Sequence, residues 1–144
     1  AIQRSHAASL AYDLFERIRM NSGSRTSYVS STTITVTDQT YAACSTGCDS
    51  AAIAANDLYE WKKVLSGFSE RDSNNPVGGL VNPTACLDGP TEPHGKYTLT
   101  IVWRGQTKIT NQSSNPCGTG SGLYDDSATD DYAYRRILEL STYM

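Results

Sequence analysis

The sequence predicts an α+β fold: an N-terminal α-helix packed on an antiparallel β-sheet, with a second short helix and disulfide-bonded loops. Three observations point there. Apolar residues near the N-terminus recur at helical spacing, whereas Lys96–Gly105 (KYTLTIVWRG) alternates at strand spacing. Four cysteines, Cys44, Cys48, Cys86 and Cys117, lie among small polar neighbours and read as two disulfides. The order of helix, extended region, short helix and strands describes a helix on a meander rather than alternating β and α units.

The first helix rests on Ala7, Leu10, Ala11, Leu14 and Ile18, which follow the i, i+3, i+4, i+7 pattern. Phe15 flanks this stripe, and Asp13, Glu16 and Arg17 are expected mostly opposite. Asn21–Ser24 (NSGS) stops the helix, with Gly23 placed for a left-handed cap. No first-turn proline or capping box starts it, so residues 1–22 are expected to be the C-terminal half of a longer helix. Tyr28–Val36 is rich in β-branched residues and reads as extended.

Asp49 and Ser50 are both good N-caps for a second helix reaching about Ser66, with Gly67 ending it. Ile53, Ala54, Leu58, Trp61, Leu65 and Phe68 share one side. Residues 71–79 read as loop, and Pro83 confines a strand in LVNPTACLD to a sheet edge or to its own start. DGPTEPHG is a turn. In Lys96–Gly105, Tyr97, Leu99, Ile101 and Trp103 take one face, and Thr98, Thr100, Val102 and Arg104 the other. Gln106–Gln112 is expected to continue or pair with that strand. SSNPCGTGSG is loop and LYDDSATDD is polar and acidic. The end reads as a last strand, a short helix being the alternative. Tyr134, Arg136, Leu138 and Leu140 lie on one side of it, and Arg135, Ile137 and Glu139 on the other.

The 144 residues suit a single domain, 1–144. A chain of this length buries roughly 68–70% of its unfolded surface, so it needs no metal to fold. A net charge of −3 and a pI near 5.2 argue against nucleic acid as a partner. Paired cysteines imply an oxidising compartment and hence export. Of the three possible pairings we favour Cys44–Cys48, within one short loop, and Cys86–Cys117, which brackets the hairpin. Loop entropy assigns about 2 kcal/mol to the first and about 3.7 to the second. A zinc site is the rival reading, but the spacing lacks a second close cysteine pair. These residues hold neither a membrane-spanning run nor a signal peptide, so an export element is expected outside them.

No catalytic pattern emerges, and neither enzyme activity nor a cofactor is expected. His6 and His94 are the only histidines. Gly118–Gly122 (GTGSG) does not match the G-x-S-x-G elbow, and no helix follows it to cradle phosphate. Asp125, Asp126, Asp130 and Asp131 are candidate calcium ligands, but their spacing is not that of an EF-hand, which favours a solvated acidic loop. Asn111-Gln-Ser113 matches the glycosylation acceptor pattern. Trp61 and Trp103 could stack on a sugar, but each lies on a patterned apolar face, which favours core packing. Arg17, Arg19, Arg135 and Arg136 form either a basic surface or ordinary solvated positions.

Four features together resemble the PilV-type minor pilins of bacterial type IV pili. Leu14–Asn21 (LFERIRMN) resembles a Glu-Arg-x-Arg-x-Asn ending of the N-terminal helix, here Glu16, Arg17, Arg19 and Asn21. Cys44 and Cys48 form a close pair just ahead of a short helix. That helix carries Asp57, Leu58 and Trp61 in a D-L-x-x-W arrangement. Tyr97–Gly105 matches the central strand in the spacing of its Tyr and Trp.

The resemblance implies a structural subunit that primes pilus assembly and joins a tip complex with other minor pilins, the major pilin and an adhesin. It implies an apolar helical half and a short basic leader ahead of Ala1. It places the protein in the inner membrane and periplasm before assembly, and on the cell-surface pilus, in adhesion and twitching motility, afterwards. Glu16, Arg17 and Arg19 become candidate subunit contacts. Alternatives are an I-type minor pseudopilin of type II secretion, or a secreted glycan-binding adhesin module.

Overall fold

The computed structural model describes residues 2–29, 44–67, 71–73, 75–76, 79–110, 113–127 and 132–144. The extended region expected up to Val36, together with Asn111, Asp130 and Asp131, lies largely outside them. Helix α1 spans Ile2–Met20 and α2 spans Ser50–Leu65. Five strands follow: β1 (Arg71–Asp72), β2 (Asn75–Pro76), β3 (Thr84–Asp88), β4 (Lys96–Arg104) and β5 (Arg135–Tyr143). The last three form an antiparallel meander in the order β3-β4-β5. The fold is therefore the α+β arrangement expected, a helix on an antiparallel sheet with a second helix and disulfide-bonded loops. Where a loop was expected at 71–79, β1 and β2 pair as a minimal hairpin.

The buried stripe of α1 is Ala7, Leu10, Ala11, Leu14, Phe15 and Ile18. Phe15 is thus part of the stripe rather than its flank, because α1 packs on both the sheet and α2. Arg4 lies 5.9 Å from the Trp103 ring and Arg19 reaches Thr142. The helix therefore runs antiparallel to β4. Gly23 is not a left-handed cap: the chain passes from α1 into a 3-10 turn, Ser22–Ser27, and Gly23 is not among the glycines with positive φ. That turn carries Tyr28 into the core, fully buried.

Helix α2 begins as its capping residues predict, with the Asp49 side chain accepting from the Ala52 amide at 2.8 Å. Ala54, Trp61 and Leu65 are buried and Leu58 packs beside them, while Ile53 is exposed. Trp61 is pinned by its Nε1, which donates to the Leu10 carbonyl of α1 at 2.8 Å. After α2 the chain folds back so tightly that a Cβ on Gly79 (φ +85) would lie 2.9 Å from the Gly67 nitrogen. Only glycine fits there.

Register sets the two faces of the sheet. Ala85, Leu87, Leu99, Ile101, Leu138 and Leu140 point inward to the helices, and Thr84, Cys86, Thr100, Val102, Ile137 and Glu139 point outward. Pro83 immediately precedes β3, an edge strand, as its missing amide requires. Residues 106–110 do not extend β4. The Gly105 amide instead donates to Tyr134 and the Ile109 amide to Ala133, so the chain runs beside the residues that lead into β5. The outer face is covered by a loop, in which Cys117 and Tyr124 pack on Val102. Disulfides join Cys44 to Cys48 and Cys86 to Cys117.

Candidate functional site

The Glu16-Arg17-x-Arg19-x-Asn21 segment lies where α1, the 3-10 turn and α2 converge. Arg17 was expected opposite the buried stripe but turns toward α2. Its guanidinium meets Asp13 at 3.3 Å, Asp57 at 3.3 Å and Glu60 at 3.0 Å. Burial lowers its proton affinity, but the Glu60 hydrogen bond and the Asp13 and Asp57 carboxylates outweigh this and raise its pKa.

Asp57 also accepts from the Tyr28 hydroxyl at 2.5 Å. Asn21 Nδ2 donates to that same hydroxyl at 3.1 Å and to the Ser50 carbonyl at 2.7 Å. Burial, then the bond to Asp57, pushes the Tyr28 hydroxyl well above its ordinary pKa, so it stays a neutral donor. The D-L-x-x-W arrangement is thereby explained. Asp57 ties α2 to Arg17 and Tyr28, and Trp61, one turn later, ties it to α1.

Arg19 bonds Glu16 at 2.5 Å and Thr142 Oγ1 of β5 at 2.6 Å. Of the three candidate contacts, Arg17 and Arg19 thus spend hydrogen bonds on their own domain, whereas the Glu16 side chain is 64% exposed. Exposed with it along α1 are Ser5, Ser9, Tyr12 (61%) and Met20 (86%). These positions lie within one sector of the helix, opposite the buried stripe. Tyr12 and Met20 were not singled out from sequence; two large apolar residues on the polar face were the available signal.

Of the four acidic candidates, Asp125 and Asp126 lie among the described residues and Asp130 and Asp131 lie outside them. Asp125 accepts from the Tyr132 amide at 2.8 Å, and Asp126 pairs with Lys108. Among the described residues no group of three or more His, Cys, Asp or Glu could hold a metal ion. His6 lies in the first half of α1 and His94 stands beside Arg25, past the end of that helix. Trp61 and Trp103 are both buried. No described helix is long and apolar enough to cross a membrane.

A family model described as Tt1218-like, type IV pilin Tt1218, matches residues 1–59. No curated protein and no solved structure matches. The matched segment holds α1, the polar junction around Arg17 and α2 as far as Tyr59, and it ends ahead of the sheet. Type IV pilins are structural, pilus-associated subunits at the cell surface that assemble with other pilins. Over residues 1–59 the chain is similar to that type IV pilin family.

Proposed function

We propose that the chain is a minor pilin of PilV type, which primes type IV pilus assembly and sits in the tip complex with other minor pilins, the major pilin and an adhesin. The observation that carries this reading is the two-sided α1. One side is consumed by the core, and the other leaves Ser5, Ser9, Tyr12, Glu16 and Met20 exposed within the segment that matches the pilin family. A subunit that polymerises needs a surface left over after it has folded. On this reading Glu16 belongs to that surface, while Arg17 and Arg19 hold the platform behind it. A helical half ahead of Ala1 anchors the subunit in the inner membrane, with this domain in the periplasm, until assembly.

The coding sequence upstream of Ala1 tests the first part. We expect about 20 apolar residues preceded by a short basic leader; an ordinary cleavable signal ending near Ala1 contradicts it. Deleting the gene tests the second. Fewer surface pili, restored by complementation, support the proposal. Normal piliation with blocked protein secretion moves the chain to the type II pseudopilins.

A further inference from the structure

Arg135, at the start of β5, is fully buried, and no carboxylate pairs with it among the described residues. Its Nη1 donates to the carbonyls of Asn115 at 2.6 Å and Cys117 at 2.8 Å, and its Nη2 to that of Ser113 at 2.7 Å. The Tyr132 ring lies 4.9 Å from its Cζ. Three backbone dipoles and an aromatic face thus stand in for a counter-ion. Such a guanidinium holds the loop firmly, because losing it leaves the buried Cys117 carbonyl without this donor and frees two further carbonyls of the loop.

The gripped segment lies across one cross-strand row of the outer face. Cys86 on β3, Thr100 on β4 and Glu139 on β5 are in register. Asn115 Nδ2 donates to Thr100 Oγ1 at 3.0 Å and Glu139 Oε2 at 2.6 Å, and Asn115 Oδ1 accepts from the Cys117 amide at 2.9 Å. At the β3 end of the row, Cys117 is bonded to Cys86. The carbonyl that Arg135 holds therefore belongs to the residue whose sulfur forms the bridge.

We propose that Arg135 is a positioning residue for the Cys86–Cys117 disulfide: its carbonyl clamp places Cys117 over Cys86 before the bond forms, and so selects this pairing. With a small disulfide such as oxidised glutathione as the oxidant, one protein thiolate attacks it and releases one glutathione thiolate. The second protein thiolate then attacks the mixed disulfide and releases the other. The two protein thiols lose two protons and two electrons, and glutathione is reduced. The equilibrium depends on the effective concentration of one thiol at the other, which the clamp raises. By linkage, the disulfide stabilises the clamp to the same degree.

The test is equilibration of the full chain in glutathione buffers, followed by peptide mapping of each cysteine pair in the wild type, Arg135→Met and Arg135→Lys. Amide exchange of the reduced proteins reports whether β4 remains protected. We expect the effective concentration for Cys86–Cys117 to fall at least about tenfold in Arg135→Met, and that for Cys44–Cys48 to change less than about twofold. An unchanged Cys86–Cys117 value with β4 protected overturns the proposal. An equal fall at both pairs also overturns it, since that reports general loosening. Should reduced Arg135→Met lose β4 protection, Arg135→Lys decides, because it keeps the charge with fewer donors in the fork. A clear fall supports the clamp, and an unchanged value refutes it.

Discussion

On its inner face the β3-β4-β5 sheet meets apolar side chains from two helices. On its outer face it meets a loop held by a disulfide, the Tyr124 hydroxyl and a buried arginine. The inner face is closed by area: Leu14, Ile18, Trp61, Leu65, Leu99 and Ile101 each lie fully or almost fully out of water, and each such side chain contributes roughly 1.5–3 kcal/mol of transfer free energy. The outer face has a smaller apolar cluster, Val102, Cys117 and Tyr124 with the partly buried Cys86, Tyr132 and Ile137 against them. It is closed instead by a few directional bonds aimed at backbone carbonyls. A Cβ on Gly118 (φ +77) would stand 2.8 Å from both Tyr124 and Val102, so the loop lies too close for any larger residue. One layer of this molecule is specified by pattern and the other by individual contacts.

The largest break in that comparison is Trp61→Ala on the inner side. It removes a fully buried indole and its bond to the Leu10 carbonyl, and should cost about 3–5 kcal/mol in urea unfolding. Next is the outer side. Replacing Cys86 and Cys117 together by serine should cost about 2–4 kcal/mol, with the amide-exchange loss confined to 113–124 and β3. If that exchange loss spreads to α1, the two layers are not independent.

A smaller effect separates the charged junction from both layers. The Tyr28 hydroxyl has a raised pKa in the folded protein because of its burial and its bond to Asp57. The unfolded chain therefore releases this proton first, near pH 10, and stability falls as pH rises beyond that point. The contribution is fully present below pH 10 and is lost above it by at most about 1.4 kcal/mol per pH unit. Tyr28→Phe should flatten the decline between pH 9.5 and 11; a wild-type-like slope contradicts the assignment. Burial raises Tyr124 as well, which leaves a residual slope in that variant. The smallest stability effect belongs to Glu16→Ala, within about 0.5 kcal/mol, because its bond to Arg19 is exposed. A larger loss would mean that Glu16 serves the fold rather than a neighbour.

The legibility of the sequence follows the same division. Periodicity placed α1, α2, β4 and β5, because each buries one face against a large partner, and the period of the apolar residues reports that burial. It did not place Arg17, whose long side chain reaches around the helix to carboxylates on α2. It did not place Tyr28 either, which a non-periodic 3-10 turn delivers to the core. Gly23 looked like a cap because glycine often is one, but it does not take positive φ and the chain runs on into a kinked 3-10 turn. Residues 106–110 looked like strand because Thr and Ile favour it, yet the Ile109 amide donates to Ala133, just ahead of β5. Arg135 had no readable signal, since its partners are carbonyls, which every residue carries. The candidate contact surface was half legible. Glu16 was visible within a motif, whereas Tyr12 and Met20 became visible only when the structure showed which side of α1 was left over.

The central claim is that the exposed side of α1 meets other pilins. Its most direct test places a photo-crosslinking amino acid at position 12 of the full-length protein in piliated cells. The account predicts an adduct with another pilin, at the summed mass of the two subunits, and its loss when assembly is blocked. Contradiction would take the form of a position-12 probe that yields no pilin adduct in cells whose pili form normally and contain the protein.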